Sequence, residues 1–353
     1  MITHQFAQYR CPATRAAMQW SSRESDSSDM PSGRLTTPTG RGFSVKAGVP
    51  DFVYPDRLSE VESQTQREYD QVAERIYDAA LDWQFQALYE DEEAVRELMI
   101  DMCQLKPNAR VLEIGCGTGR DSFRLARRLG EHGALYMQDL SPNMVYTCRD
   151  RMRQYDQQMN FSCDLQYFVS NGAYLPFDDG FFDVVFHFGG FNQFGDLPRA
   201  AEEFARVTKL GGRVLYGDES VGPWLRGTEF EGIVGTNNPL FRSPLPLETI
   251  PVCARDVTVR WIMGNCFYVI AFTKGDGPPP LNLDLMHAGR RGGSMRTRYF
   301  GQLEGVSLET KELAQQAAQA AGMSMHQWLD TLVRVEAERV LEGPVATREG
   351  GHE

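Results

Sequence analysis

The central part of the chain carries glycines and acidic side chains just after apolar runs. The run 111–114 leads into Gly115, Gly117 and Gly119, and Asp139 closes a second run twenty residues beyond the last of these glycines. Glycine lets the chain reverse sharply and lets a ligand approach the backbone closely. The N-terminus of a following helix leaves free N–H groups that can hold an anionic group. Because an acidic side chain at the end of a second strand is placed to hold ribose hydroxyls, the spacing predicts a site for a ribose-bearing ligand.

The glycine spacing separates two classes of nucleotide site. A turn that binds a dinucleotide reads G-x-G-x-x-G or G-x-G-x-x-A, and Arg120 occupies the last of these positions. This chain has G-x-G-x-G instead, with Glu113 two residues before the first glycine. An NAD-dependent enzyme is therefore disfavoured. A glycine turn in some other doubly wound domain remains the structural alternative.

Alternating strand and helix patterns must position these residues. After the glycine turn, Phe123, Leu125, Ala126 and Leu129 lie on one face of an amphipathic segment. Further apolar runs and helical patterns alternate along the chain, and the last two runs, 256–261 and 266–272, indicate an antiparallel hairpin. The predicted fold class is α/β, a doubly wound Rossmann-like sheet that is mostly parallel with a C-terminal antiparallel hairpin, plus a small helical C-terminal module.

These motifs resemble those of a known enzyme family. The glycine turn with Glu113 and Asp139 is similar to the first motifs of the class I S-adenosylmethionine-dependent methyltransferases. Leu-Pro-Phe at 175–177, followed by Phe-Asp-Val-Val at 182–185, resembles the branch that contains the ubiquinone/menaquinone-biosynthesis enzymes. The resemblance covers roughly residues 60–275. It implies transfer of a methyl group from S-adenosylmethionine to a small-molecule acceptor.

The resemblance also implies a cofactor site. Glu113 and the glycine turn would place the methionine part of S-adenosylmethionine, Asp139 the ribose, and Met144 with Asn171 the adenine. Family members usually have aspartate where Asn171 stands, but an asparagine carbonyl can still accept a hydrogen bond. Met144 also has an ordinary interpretation as a core methionine. The predicted cofactor residues are Glu113, Gly115, Cys116, Gly117, Gly119, Asp139, Leu140, Met144, Asn171, Gly172, Ala173 and Phe188.

Three side chains at strand ends are candidate catalytic residues, namely His187, Asp218 and Glu219. The donor of such a reaction is already activated, so the protein mainly aligns the reactants and excludes water. A base is needed only if the acceptor must lose a proton. For His187 the favoured interpretation is a hydrogen-bonded residue at a strand end, and the two acids are also interpretable as part of a capped loop. No metal site is predicted.

Aromatic residues indicate where an acceptor would bind. Tyr69, Ala73, Tyr77 and Leu81 recur every four residues and form a helical stripe, which resembles the lid helix of this methyltransferase branch. The alternative is a plain amphipathic helix packed on the sheet. The aromatic character suggests an apolar or ring-bearing acceptor, and its methylated atom is not identifiable. The predicted substrate-binding residues are Tyr69, Tyr77, Phe191, Asn192 and Trp224.

Composition limits the partners and the compartment. The net charge of −12 argues against broad nucleic-acid binding. The seven cysteines contain no C-x-x-C pair and are typical of reduced thiols in a cytoplasmic protein. No apolar run approaches the roughly 20 residues that a membrane span needs, so no span is predicted.

Changes in composition suggest four regions. Residues 1–48 are rich in Ser, Thr, Gly and Arg without apolar periodicity, and we expect them to be disordered or loosely attached. A methyltransferase domain would occupy 49–275, with a cap insertion at about 221–255. A Pro/Gly-rich linker would follow at 276–302, and a helical module would occupy 303–345.

The C-terminal module resembles a ribbon-helix-helix module. A short strand at 304–308, a helix, a turn at Gly322 and a second helix follow one another. Ser324 and Gln327 form a capping box at the start of the second helix. The resemblance implies a possible homodimer and leaves open an S-adenosylmethionine-sensing DNA-binding regulator. That alternative is disfavoured because the strand is acidic and the nearby arginines, at 290–298, precede it. Packing of the helices on the main domain is the other alternative.

Overall fold

The computed structural model describes residues 6–22, 31–71, 74–301 and 306–342. The chain divides into two compact units, Met1–Pro279 and Pro280–Glu353. The first unit contains two β-sheets, and the second is helical where it is described. Within the described ranges, no helix is both long and apolar enough to cross a membrane.

Four short strands at the start of the chain form an antiparallel sheet in the order β1-β2-β3-β4. Their bounds are β1 (Gln19–Ser22), β2 (Gly33–Thr36), β3 (Gly42–Lys46) and β4 (Val49–Pro50). Burial alternates along β3, with Phe43 and Val45 buried. Just beyond β4, the Phe52 N–H donates to the carbonyl of Val169 at 2.7 Å. The serine-rich residues 23–30 lie outside the described residues.

This sheet contradicts the expectation that residues 1–48 are disordered or loosely attached. Phe6, Tyr9 and Phe43 are buried, and the Tyr9 ring centroid lies 5.6 Å from that of Phe168 in the main sheet. The strands here have at most five residues, too few to give a clear period. The described residues of this segment are ordered because their scattered aromatic side chains complete a core supplied by residues far along the chain.

The main sheet has seven strands in the order β10-β11-β9-β8-β5-β6-β7. Its strands are β5 (Arg110–Ile114), β6 (Ala134–Asp139), β7 (Asp164–Val169), β8 (Phe182–Phe188), β9 (Thr208–Glu219), β10 (Ala254–Ile262) and β11 (Phe267–Lys274). The strands β5 to β9 pair in parallel, and β10 and β11 form an antiparallel hairpin on β9. This topology confirms the predicted doubly wound fold class. Chain order reverses between β5 and β8, which is where ligands bind in open sheets of this kind.

Helices pack on both faces of this sheet. In the first unit they are α1 (Glu60–Gln71), α2 (Glu74–Ala87), α3 (Glu92–Met102), α4 (Ser122–Arg127), α5 (Pro142–Met159), α6 (Leu197–Val207) and α7 (Glu229–Asn237). Along β5, Leu112 belongs to a core cluster with Phe204 of α6, whereas Val111 belongs to another with Met99 of α3 and Met152 of α5. Successive side chains of a strand point to opposite faces, so both faces are covered.

Two predicted regions have more helix than expected. The cap insertion at about 221–255 contains α7, and the predicted linker at 276–302 contains α8 (Met295–Phe300). In the second unit, α9 (Leu308–Ala320) and α10 (Met325–Leu341) correspond to the two predicted helices, and the capping box of α10 is confirmed. Of the predicted strand at 304–308, residues 304 and 305 lie outside the described residues. Residues 306 and 307 are not in a strand, and Leu308 begins α9, so the prediction is wrong for the described part.

We expect the small N-terminal sheet to stabilise the whole first unit. Phe43→Ala should lower the free energy of unfolding by about 3–5 kcal/mol, because it removes a buried ring and leaves a cavity. Ser44→Ala, at the exposed neighbouring position on β3, is the matched control and should change it by less than about 0.5 kcal/mol. Urea denaturation followed by circular dichroism measures both. Equal stability of the two variants would show that the segment is only loosely attached.

Candidate functional site

A cavity lies at the carboxyl ends of β5, β6 and β8, at the point where strand order reverses. Helix α1 crosses these strand ends, where Gln66 Nε2 donates to the carbonyl of Leu140 at 3.0 Å and the Ser141 hydroxyl donates to Asp70 Oδ1 at 2.6 Å. The residues that line the cavity are Glu62, Thr65, Tyr69, Tyr77, Leu81, Gln84, Phe85, Arg96, Ile114, Gly115, Cys116, Gly117, Thr118, Arg120, Asp121, Gln138, Asp139, Leu140, Asn171, Gly172, His187, Phe188, Gly189, Gly190, Gln193, Phe194, Glu219, Met263 and Phe267. Helices α1 and α2 therefore supply one wall and the strand ends supply the other.

The glycine turn after β5 places backbone directly against the cavity. Gly115 and Gly117 have φ of +69° and +50°, a left-handed conformation that favours glycine. A Cβ on Gly117 would lie 3.3 Å from the Tyr77 hydroxyl, so a side chain there would crowd the tyrosine. The Gly117 N–H donates to Asp139 Oδ2 at 3.1 Å. The turn and the carboxyl group are thus held together at the cavity wall.

Asp139 ends β6 with its carboxyl group at the cavity. Its Oδ1 accepts the Ser141 N–H at 2.9 Å, and its Oδ2 accepts the Gly117 N–H. Burial raises the pKa of Asp139 to about 6, although the backbone hydrogen bonds act to lower it. A carboxylate has about four acceptor positions, and the backbone N–H groups do not use all of them, so Asp139 can still accept from a ligand's hydroxyl group.

Glu113 lies under the glycine turn instead of on the cavity wall. Its Oε2 accepts the Ser122 hydroxyl at 2.6 Å in the buried interior, and burial raises its pKa well above the usual range. Glu113 does not line the cavity, and its predicted contact with a cofactor stays a prediction. Its hydrogen bond instead ties the end of β5 to the first residue of α4.

Asn171 is part of a buried polar cluster with Glu62, which the sequence analysis missed. The Asn171 amide donates to Glu62 Oε1 at 2.8 Å, and its carbonyl accepts the Ala173 N–H at 2.9 Å. The carbonyl that was predicted to accept from adenine is thus already engaged. Ser59 three residues before Glu62 is a capping-box spacing, the one signal in the sequence that could have indicated this glutamate.

His187 contributes a neutral ring to the cavity wall. Its Nδ1 lies 2.8 Å from the carbonyl oxygen of Ile114, and since a carbonyl can only accept, Nδ1 is assigned the proton. Among the described residues, its buried Nε2 has no hydrogen-bond partner. Burial lowers the pKa of His187. The histidine therefore presents a hydrogen-bond acceptor, and its predicted role as a catalytic base stays a prediction.

The two neighbouring acids at the end of β9 have different surroundings. Asp218 is fully buried, and its carboxylate accepts the N–H groups of Gly190 at 2.9 Å and Asn192 at 2.5 Å. It does not line the cavity, so the predicted catalytic role of Asp218 is not supported. Glu219 lines the cavity, and burial together with the nearby Asp218 raises its pKa well above the usual range.

Of four predicted substrate-binding residues, two line the cavity and two do not. Tyr69 and Tyr77 line the cavity with their ring centroids 5.9 Å apart. Phe191 is instead a core residue, fully buried with its ring centroid 4.6 Å from that of Tyr216. Trp224 is 58% exposed on the surface. Phe191 and Trp224 therefore do not line the cavity.

The remaining predicted site residues lie partly on the cavity wall and partly outside it. Asn192 Nδ2 donates to the carbonyl of Glu219 at 2.8 Å, so this side chain fixes a loop and does not line the cavity. The predicted cofactor residues that line the cavity are Gly115, Cys116, Gly117, Asp139, Leu140, Asn171, Gly172 and Phe188. Those outside its lining are Glu113, Gly119, Met144 and Ala173. The side chains of Met144 and Ala173 are buried in the core.

An ion-pair network at the cavity edge was also missed by the sequence analysis. Arg120, just beyond the glycine turn, donates to Glu92 at 2.7 Å and to Asp82 of α2 at 2.5 Å. Arg96 pairs with Asp121 at 2.5 Å. Burial alone would raise the pKa of Glu92, but the two guanidinium groups lower it to about 2. These cations are therefore engaged with acids that link α2 and α3 to the glycine turn.

Comparison with known proteins gives matches to the central part of the chain, which supplies most of the strand-end wall of this cavity. Residues 111–212 match a family model described as methyltransferase domain. A 2-phytyl-1,4-naphtoquinone methyltransferase of Trichormus variabilis is 32% identical over 142 residues, covering 40% of this chain and 58% of that protein. A ubiquinone/menaquinone biosynthesis C-methyltransferase of Xanthomonas oryzae pv. oryzae is 33% identical over 135 residues, covering 38% and 52%. The chain thus spans little more than half the length of these relatives.

Solved structures with a similar arrangement include a geranyl diphosphate C-methyltransferase from Streptomyces coelicolor. It has a TM-score of 0.45 and 14% identity, and the match covers 62% of this chain and all of that one. A methyltransferase from Aquifex aeolicus gives a TM-score of 0.37 and 20% identity, with 51% of this chain and 89% of that chain covered.

We expect Asp218 to matter for stability more than Glu219 does. Asp218→Asn should lower the free energy of unfolding by about 2–4 kcal/mol, because the new amide group would face a buried N–H donor. Glu219→Gln at the adjacent, partly exposed position should change it by less than about 1 kcal/mol. Urea denaturation of the two variants provides the measurement. A larger loss for Glu219→Gln would contradict the assignment of Asp218 to the loop.

Proposed function

We propose that the protein transfers a methyl group from S-adenosylmethionine to a small-molecule acceptor. The match of residues 111–212 to the methyltransferase-domain model supports this proposal. The observation that carries the proposal is the cavity at the strand-order reversal, where the glycine turn and the Asp139 carboxyl group meet. A ligand there meets close backbone and a carboxylate with acceptor positions to spare. This combination suits a ribose that is joined to a chain ending in charged groups.

The lining residues fit S-adenosylmethionine by their chemistry. Asp139 would accept hydrogen bonds from the ribose hydroxyls, and Leu140 with Gly172 would flank the adenine. The glycine turn and the unpartnered Nε2 of His187 would receive the methionine end. The bound cofactor supplies a methyl group already activated on a sulfonium, so the chain's own task is to align the acceptor and exclude water. Tyr69 on the covering helix contributes to that exclusion.

The acceptor is proposed to be largely apolar with at least one polar group. Phe188, Met263 and Phe267 line one part of the cavity, and Glu219 is the acid beside them. With its raised pKa, Glu219 can hold a proton and donate it in a hydrogen bond to an acceptor oxygen. In its ionised form it can take a proton from the acceptor. The quinone-related acceptors named for the relatives are compatible with such a lining.

Calorimetry with S-adenosylhomocysteine tests the proposed cofactor. We expect binding of S-adenosylhomocysteine and none of NAD, because the turn lacks the dinucleotide spacing. Asp139→Ala should weaken binding by about 1–3 kcal/mol, since it removes the charged acceptor of the ribose hydroxyls. Binding of NAD without S-adenosylhomocysteine would overturn the proposal.

The affinity for S-adenosylhomocysteine should depend on pH through the ionisation of Asp139. Its pKa of about 6 means that the ionised form dominates above pH 6 and is lost as pH falls through that value. Hydroxyl donors favour the ionised form, so affinity should fall by about tenfold between pH 7 and pH 5. Asp139→Asn, which cannot ionise, is the control and should bind more weakly with little change over this range.

We further propose that the protein acts in the cytoplasm and forms a homodimer through α10. All seven cysteines are free, as expected in a reducing compartment. Leu329, Leu332 and Val335 on α10 are 41–59% exposed in the single chain. An apolar stripe of this kind is usually covered by a partner, and a second copy would cover it without another protein.

Light scattering on the full chain tests the dimer. The unmodified protein should have the mass of a dimer, and Leu332→Glu should shift it to the monomer by placing a charge in the apolar contact. Ala337→Glu adds the same charge on the opposite face of α10 and should leave the dimer intact. A monomeric unmodified protein, or loss of the dimer in both variants, would contradict this interface.

A further inference from the structure

Helix α1 has a row of side chains that anchors it to the main sheet beside side chains that line the cavity. Thr65 and Tyr69 line the cavity, and so does Glu62. Glu62, Gln66 and Asp70 are spaced four residues apart and so lie on one face of the helix. All three of these make hydrogen bonds to segments that follow strands of the main sheet. The row that anchors the helix therefore determines where the cavity-lining side chains stand.

Glu62 is the buried member of the anchoring row, with 6% of its surface exposed. Its Oε2 accepts the N–H of Ser59 at 2.9 Å and the hydroxyl of Ser59 at 2.8 Å. Its Oε1 accepts the amide of Asn171 at 2.8 Å and the N–H of Gly195 at 3.4 Å. One carboxylate thus joins the start of α1 to the loops after β7 and β8. Hydrogen bonds to a buried charged group are the ones whose loss is most costly.

We propose that Glu62 is a positioning residue, which holds α1 closed over the cofactor cavity through its hydrogen bond to Asn171. The choice of S-adenosylhomocysteine as the ligand rests on the proposed function. The hydrogen bond that holds the helix closed does not depend on that function. The apparent affinity of a ligand that needs the closed form equals its intrinsic affinity multiplied by the fraction of protein that is closed. Weakening the Glu62 contact should therefore weaken binding by opening the helix. Because Glu62 also lines the cavity, trypsin cleavage of the ligand-free protein separates this effect from direct contact with the ligand.

Because this hydrogen bond has a defined donor and a defined acceptor, exchanging the donor and acceptor side chains tests it. The Asn171 carbonyl is occupied by the Ala173 N–H, so its amide must face Glu62. In Glu62→Gln the new amide would meet the Asn171 amide, donor against donor. In Asn171→Asp two carboxylates would face each other. Combining both substitutions restores one donor and one acceptor between the two side chains with reversed polarity, and leaves an oxygen for Ser59 and an oxygen for Ala173. The long contact of Gly195 with Oε1 is not restored.

The experiment compares the two single variants with the double variant in the full chain. Calorimetry with S-adenosylhomocysteine measures affinity, trypsin cleavage after the exposed Arg67 of α1 measures opening of the helix, and thermal unfolding measures global stability. We expect each single variant to lose about tenfold in affinity and to be cleaved faster, and the double variant to return to within about threefold of the unmodified protein. Glu68→Gln on the exposed face of α1 removes a carboxylate from the same helix and should match the unmodified protein.

Three outcomes would overturn the proposal. Single variants with unchanged affinity and cleavage would show that the contact does not hold the helix. Losses that simply add in the double variant would show that Glu62 and Asn171 act separately. Lower thermal stability with unchanged affinity would assign Glu62 a purely structural role. If the unmodified protein failed to bind S-adenosylhomocysteine, the proposed function would fail, whereas restoration of trypsin resistance in the double variant would still support the closing contact.

Discussion

Parallel strands that end side by side leave backbone N–H groups in the following loops without strand partners, and such groups must be satisfied where they are buried. In this protein, carboxylates meet much of that demand. Asp139 accepts the N–H groups of Gly117 and Ser141, and Asp218 accepts those of Gly190 and Asn192. The loops that form the cavity depend on these contacts, so the acids determine its shape before any ligand binds.

The acids at the strand ends therefore have two different tasks. Asp218 has no exposure and both its oxygens are engaged with loop N–H groups, so it fixes backbone. Glu219, the next residue along β9, lines the cavity instead. Successive side chains of a strand point to opposite faces, which is why two neighbouring carboxylic acids have such different surroundings. A ligand can reach only the second of them.

The small N-terminal sheet extends the same core beyond the edge of the main sheet. Tyr9 packs against Phe168 and Phe177, with ring centroids 5.6 and 5.2 Å apart. The Phe52 N–H continues the hydrogen bonding of β7 through the carbonyl of Val169. Since β7 leads to Asn171, the aromatic packing supports the strand end that faces α1. The stability of this sheet and the shape of the cavity are thereby connected.

The sequence by itself determined the elements whose signals are local. The run 111–114 followed by three spaced glycines indicates a strand, a turn and a helix, because apolar periodicity and the left-handed turn need only neighbouring residues. The position of Asp139 at the end of the second strand follows from the same reasoning. The alternation of these patterns along the chain was sufficient to predict the doubly wound fold class.

Only the tertiary structure decided which side chains meet at the cavity. Glu62 and Asn171 are 109 positions apart, and no local pattern shows that a residue of α1 would engage the Asn171 side chain, whose carbonyl is predicted to accept from adenine. Phe188 lines the cavity while Phe191 is buried in the core, although both are aromatic residues of one segment. The N-terminal sheet was missed for the same reason: its order comes from contacts with distant residues, which packing creates and short-range preferences do not encode.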